Sequence, residues 1–218
     1  MVLVTPLRHH REMGFYDDRV LPHLINLTCG MSALTPLRRR TCAGLTGDVV
    51  ELGFGSGLNV DVYPDTVSRI AAIEPSDGGW RLASGRLASS RVPIDRAGLD
   101  GQRLPFDDDT FDAALTTFTM CTIPDLPAAL AEVRRVVRDG GTVHFLEHGT
   151  APDEPVRTWQ RRLEPIQRRV AGGCHLTRDI PGSFADAGLT VTSIDRFYQP
   201  GTPKAFGAMN LGVARVGG

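Results

Sequence analysis

Short apolar runs of strand length alternate along this chain with longer stretches whose apolar residues recur every three or four positions. The runs fall at 49–52, 68–73, 92–99, 113–118 and 142–147. Between them, Ser76–Ser90 predicts a helix that can place Trp80, Leu82, Ala83, Leu87 and Ala88 on one face despite Gly85. Pro127 opens another, with Asp125 as its cap, Leu130, Val133, Val136 and Val137 along one side, and Gly140-Gly141 as its stop. Ahead of the first run, Leu24, Leu27, Met31 and Leu34 keep helical spacing across breaks at Pro22, Gly30 and Pro36. This predicts one or two short helices packed over the sheet, as a lid or as plain packing. Residues 1–14 carry no period and read as an arm. Beyond residue 150, Glu154–Ala171 is helical by the stripe Trp159, Leu163, Ile166 and Val170, with a kink due at Pro165. A short helix over 183–187 ends at Gly188. Leu189–Tyr198 and Phe206–Val216 then read as a hairpin on the sheet edge, joined through Pro200-Gly201-Thr202-Pro203.

Strands alternating with helices in this way predict a Rossmann-like, doubly wound α/β fold: a mostly parallel seven-stranded sheet with a C-terminal antiparallel hairpin and an N-terminal helical lid. A single domain over 1–218 is expected, with arm and lid at 1–44, a cofactor-binding core at 45–150 and substrate-side helices plus hairpin at 151–218. Ligands of such sheets sit outside the carboxyl ends of the strands. Glu51, Glu74, Asp100, Thr117 and His148 should therefore share one crevice.

The chemistry concentrates at Val49-Val50-Glu51-Leu52-Gly53-Phe54-Gly55-Ser56-Gly57-Leu58-Asn59, an apolar strand running into three alternate glycines. Glycine permits positive φ and carries no Cβ to hold a ligand away. The third glycine comes one residue too early for a dinucleotide fingerprint, and an acid, Glu51, stands at the strand end where a diphosphate would be repelled. A second strand ends in Glu74-Pro75, a position suited to a ribose diol. A nucleoside that carries a cation and no phosphate satisfies both acids, which points to S-adenosylmethionine. Pro64 limits the helix after this loop to under two turns.

Composition narrows the remaining choices. A formal charge of −1 over 218 residues gives no global pull toward nucleic acid or anionic membrane, and the run Arg38-Arg39-Arg40 reads as a solvated helix face. The four cysteines, Cys29, Cys42, Cys121 and Cys174, are far apart in sequence, so no metal site and no disulfide framework is expected. With neither a signal-peptide core nor an apolar run of spanning length, a cytoplasmic protein without stable membrane insertion is expected.

Taken together, Glu51–Gly57, Ile73-Glu74-Pro75, Asp100 four residues before Leu104-Pro105-Phe106, Thr110-Phe111-Asp112 and Val136–Gly141 resemble the class I S-adenosylmethionine-dependent methyltransferases, over about residues 15–216. They are similar to the group that includes ubiquinone and menaquinone methyltransferases. The resemblance implies a cofactor site of Glu51, Gly53, Gly55, Ser56, Gly57, Asn59, Glu74, Pro75, Leu99, Asp100, Thr117 and Phe118, with Asp100 on the adenine amino group. Leu99 stands where that group has glycine, and Glu51 where it often has aspartate. Phe145-Leu146-Glu147-His148, Trp159-Gln160, Glu164-Pro165 and Gly173–Arg178 further resemble the methyltransferase-like 7 proteins, which methylate small alkyl thiols. The membrane-anchoring N-terminal segment of that group has no counterpart in the resemblance.

Methyl transfer from S-adenosylmethionine needs an in-line nucleophile and exclusion of water, so positioning dominates. A thiol with a pKa near 8.5 is only about 3% ionised at pH 7, and a base would raise that fraction. His148, at the end of the fifth strand, is the candidate for the base, or else it bonds a loop. Trp159, His175 and Arg178 are candidates for the acceptor pocket, although Trp159 also fits a core stripe, Thr177 an N-cap, and Arg178 a pair with Glu147 or Asp179. The expected partner is a small-molecule acceptor, a thiol or a phenol- or quinol-type metabolite. A non-catalytic S-adenosylmethionine-binding protein is the other reading. A nicotinamide oxidoreductase lacks its Tyr-x-x-x-Lys pair at Tyr16, Tyr63 and Tyr198. Base methylation lacks its Pro-Pro motif after the fourth strand, where Thr116–Cys121 stands.

Overall fold

The computed structural model describes residues 19–217, so the arm at 1–14 and the residues up to 18 lie outside the described part. Seven strands form one sheet in the order β3-β2-β1-β4-β5-β7-β6. They are β1 Gly47–Leu52, β2 Val67–Ile73, β3 Ile94–Gly98, β4 Phe111–Thr117, β5 Val137–His148, β6 Leu189–Tyr198 and β7 Ala208–Val216. β1 pairs in parallel with β2 and β4, β2 with β3, and β4 with β5. β7 runs antiparallel between β5 and β6. The later hairpin strand takes the inner place because its residues are nearly all buried, whereas β6 is mostly exposed and suits an edge. Winding reverses between β1 and β4, which opens the crevice that doubly wound sheets use for ligands.

Side chains of β1 alternate between two cores, as a strand covered on both faces requires. Val50 and Leu52 join Leu130, Val133, Phe145 and Phe184. Val49 joins Cys42, Leu45, Phe54, Tyr63 and Leu115 on the other face. The first face is covered by α5 (Leu126–Val136) and α7 (Ile180–Asp186), and the Phe145 and Phe184 rings pack with centroids 4.8 Å apart. Before β1 come α1 (Leu21–Cys29) and α2 (Thr35–Cys42), each with proline in its first turn.

Several elements differ from expectation for local reasons. After the glycine loop the chain makes only a 3-10 turn, Val60–Val62, before Pro64. Ser76–Ser90 divides into α3 (Asp77–Leu82) and α4 (Ser84–Ala88), since Gly78, Gly79 and Gly85 weaken a continuous helix. α5 ends at Val136 and not at Gly140-Gly141: Val137 already pairs with Phe111, the next pair is Ala113 with Thr142, and residues 138–141 bulge out with Gly140 at φ 78°.

α6 (Glu154–Val170) keeps Pro165 inside it, but its apolar stripe is not core: Trp159 is 57% exposed and Ile166 61%. The buried residue of α6 is Gln160. Its amide accepts from Ala151 N at 2.9 Å and donates to Gly149 O at 2.9 Å, fixing the helix by polar bonds. A one-turn helix, α8 (Lys204–Gly207), lies in the β6–β7 connection. Among the described residues, no helix is long and apolar enough to cross a membrane.

Candidate functional site

Gly53, Gly55 and Gly57 all take positive φ, at 70°, 58° and 75°. A Cβ on Gly53 would run into the Thr119 side chain, whereas one on Gly55 would meet only Gly53 O at 3.9 Å. The open side of Gly55 is therefore a cradle that a side chain would fill. Glu74, buried at the end of β2, shapes it: Oε2 accepts from Gly55 N at 2.6 Å and Oε1 from Ser76 N at 2.7 Å. Burial raises the pKa of Glu74, and those two N–H groups oppose the rise. A carboxylate keeps further lone pairs after two such bonds, enough for a diol. Pro75, Leu99 and Asp100 are exposed at the rim, with Asp100 Oδ1 accepting from Gln102 N at 2.9 Å. Helix α1 rests on the loop through Ser56 Oγ, which donates to Asn26 Oδ1 at 2.7 Å, and Arg86 of α4 donates to Ser56 O at 2.9 Å.

Glu51 lies deeper than a residue in open contact with ligand, only 1% exposed. It accepts from Asn59 Nδ2 at 2.8 Å and from the Tyr63 hydroxyl. Burial pushes its pKa up to about 7, against the pull of Tyr63, Asn59 and the Arg38 charge. Arg38 is the surprise of the arginine run. It is buried, donating to Asn59 Oδ1 at 2.8 Å, Thr117 Oγ1 at 3.0 Å and Cys29 O at 3.1 Å, with its guanidinium 5.2 Å from the centre of the Phe118 ring. Arg39 and Arg40 do face solvent. Arg38 shares the inner side of α2 with Leu34, Thr41 and Cys42, a helical spacing visible in sequence once the helix is placed.

A third buried carboxylate organises the far end. Glu147 Oε1 accepts from Thr116 Oγ1 at 2.7 Å, and both of its oxygens accept from Thr119 N at 3.0 Å. Phe118, at φ 57°, is a non-glycine residue in the left-handed region, held there by these bonds and by Phe118 N to Leu146 O at 2.9 Å. The bend brings Cys121 beside His148 at the end of β5 and Cys174 from the loop after α6. His148 Nε2 stands 3.0 Å from Cys174 Sγ.

The cysteine loops are tied together by His175 N to Cys121 O at 2.9 Å and by Arg178 Nη1 to Met120 O at 2.6 Å and Ile123 O at 2.7 Å. Arg178 thus clasps backbone and pairs with neither Glu147 nor Asp179. Glu164 holds Thr177 N at 2.8 Å and His175 Nδ1 at 3.2 Å, and the cap of α7 is Asp179, not Thr177. Hydrogen bonds from Cys121 and His148 pull the Cys174 thiol below its ordinary range despite burial. Burial opposes the imidazolium of His148, yet the bond to Cys174 and the charges of Cys174 and Glu147 prevail and raise its pKa.

The structure therefore gathers Glu51, the glycine loop, Asn59, Thr117 and Phe118 around β1 and β4, with Glu74 joined to the loop and Pro75, Leu99 and Asp100 at the rim. His148, His175 and Arg178 cluster beyond β5, and Trp159 stands exposed on α6. Spacing along the chain concealed Arg38, Glu147 and the meeting of Cys121 with Cys174, because their partners are remote in sequence.

Residues 50–145 match the family profile described as a methyltransferase domain. Thiol S-methyltransferase TMT1A of Homo sapiens is 30% identical over 166 residues, covering 72% of this chain and 67% of that protein. Thiol S-methyltransferase TMT1B of Rattus norvegicus is 29% identical over 135 residues, covering 60% of this chain and 55% of that protein. The chain thus spans from just over half to two thirds of the length of these relatives. Geranyl diphosphate C-methyltransferase from Streptomyces coelicolor A3(2), solved with Mg2+, geranyl diphosphate and S-adenosyl-L-homocysteine, shares the fold at a TM-score of 0.63 over 85% of this chain and 77% of that one, with 17% identity. A 30%-identical relative matched over two thirds of its length, with a methyltransferase profile over residues 50–145, shows that the chain belongs to the class I S-adenosylmethionine-dependent methyltransferases.

Proposed function

We propose that this chain transfers the methyl group of S-adenosylmethionine to the sulfur of a small thiol. The observation that carries the reading is the surroundings of Cys174: the groups beyond β5 favour a thiolate over a thiol, and an acceptor thiol entering beside His148 meets the same groups. The names of the relatives from Homo sapiens and Rattus norvegicus point the same way. The cofactor supplies an activated methyl group on a sulfonium. The chain's own residues then divide the work of holding and aligning. Gly53, Gly55, Ser56 and Gly57 receive the methionine portion, and Glu51, buried beneath the loop with Asn59, supplies negative charge under its ammonium. Glu74 and Pro75 take the ribose, Leu99 and Asp100 the adenine, and Thr117 and Phe118 close the side toward the acceptor. The acceptor's proton is drawn off on the side of His148 and Cys174, while His175 and Arg178 hold the surrounding loops and Trp159 stands exposed on α6.

Three measurements follow. Purified chain, given methyl-labelled S-adenosylmethionine and a panel of alkyl thiols, phenols and quinols, should place label in thioethers. Label confined to phenols or quinols, or no transfer despite cofactor binding, overturns the thiol reading. Glu74→Ala and Asp100→Ala should each weaken cofactor binding by roughly 1–3 kcal/mol, about 5 to 150-fold, by leaving a cofactor donor unpaired. Unchanged calorimetric affinity in both removes them from the site.

Glu51 gives a pH signature. It holds its proton to about pH 7 in the free protein, and a bound ammonium favours its charged form, so binding releases a proton. Affinity should therefore rise with pH, approaching tenfold per unit, from about pH 5.5 to 7 and then level off. In Glu51→Gln the profile should be flat over that range, and parallel profiles in the two proteins contradict the role.

A further inference from the structure

We propose that Cys121, His148 and Cys174 form a three-ligand site for one thiophilic metal ion, with Zn2+ the expected occupant, whose fourth position receives the sulfur of the acceptor. The three donor atoms lie within 4.8 Å of one another. Tetrahedral ligands about 2.0–2.3 Å from Zn2+ stand roughly 3.3–3.8 Å apart, so side-chain shifts of about an ångström close the three around an ion. Two sulfurs and an imidazole select Zn2+ or another soft cation, not Mg2+ or Ca2+, which require oxygen. Two cysteines with one histidine leave one tetrahedral position for an exchangeable ligand.

The site is built before any ion enters. Glu147 fixes the bend that carries Cys121, His175 N bonds Cys121 O, and Arg178 clasps Met120 and Ile123, so the two cysteine loops are mutually fixed. His148 Nδ1 is buried without a hydrogen-bond partner among the described residues, so the ring can present either nitrogen without breaking a bond there. The location also matters: Cys121 follows the end of β4 with its Sγ 3.9 Å from Phe118 O, His148 ends β5, and Cys174 reaches both from the loop after α6.

The use of the fourth position rests on the methyl-transfer reading above, whereas the ion site does not. An acceptor thiol that ligates the ion releases its proton to solvent. Its sulfur lone pair then forms the new S–CH3 bond as the sulfonium S–CH3 bond breaks, giving a thioether and S-adenosylhomocysteine with the charge on the metal unchanged.

The test uses the full chain, reduced and chelator-treated, with Zn2+ alone as the probe. Competition against a chromophoric chelator should give one ion per chain. X-ray absorption should show two sulfurs at about 2.3 Å and at least one nitrogen at about 2.0 Å. Cys121→Ser and Cys174→Ser should each weaken binding at least about tenfold, while Cys42→Ser, in the core of the other sheet face, should not change it. A shell of oxygen and nitrogen only, substoichiometric binding, or equal loss in Cys42→Ser overturns the site. If a serine variant fails to fold, the absorption spectrum of the parent decides alone. Zinc bound as described without thiol methylation sinks the thiol reading and the use of the fourth position but not the ion site. Thiol methylation by a chain that binds no zinc sinks the ion site and not the thiol reading.

Discussion

A carboxylate buried at the carboxyl end of a strand must find donors, and here the donors are the loops that make the site. Glu51, Glu74 and Glu147 each stand next to the last residue of β1, β2 and β5, and burial raises the pKa of each. An ionised carboxylate left unpaired in such a place costs several kcal/mol, so each holds its neighbours in one arrangement. Glu74 draws in Gly55 and Ser76, Glu51 draws in Asn59 and Tyr63, and Glu147 draws in Thr116 and Thr119. Loops that would otherwise sample many conformations thus take their positions from a rigid sheet.

The consequences spread outward from those three ends. With Glu74 on Gly55, the glycine loop keeps its open side toward the crevice, and α1 settles on it through Asn26 and Ser56. With Glu51 bound to Asn59, the second face of Asn59 is free to take Arg38, which locks α2 over the reversal point of the sheet. With Glu147 holding the bend after β4, Phe118 tolerates its left-handed backbone and Cys121 reaches His148 and Cys174. Cofactor side and acceptor side are organised by one device used at different strands.

Much of this architecture was legible in the sequence because it depends on local periods. Strand-length runs, the glycine spacing and the acids ending β1 and β2 are all contiguous signals. What escaped depends on distance or on competition between local rules. Arg38 looked solvated among Arg39 and Arg40, since only its position on α2 separates it from them. Trp159 matched an apolar stripe, yet α6 is anchored by the amide of Gln160, and the stripe faces outward. Gly140-Gly141 looked like a helix stop, but Val137 was taken first by pairing with Phe111. The cysteines read as scattered because more than fifty residues separate Cys121 from Cys174, and only the crossing of two loops over β5 unites them.

Backbone hydrogen exchange in the parent and in Glu147→Gln tests the organising role of the buried carboxylates most directly. The glutamine keeps the size of the side chain but replaces an accepting oxygen with a donor facing other donors. The account predicts that the Thr119 and Met120 amides, both of which donate to the Glu147 carboxylate, lose protection in the variant while those in the middle of β1 and β5 keep theirs. Unchanged protection at Thr119 and Met120, or a uniform loss across the sheet, would contradict it.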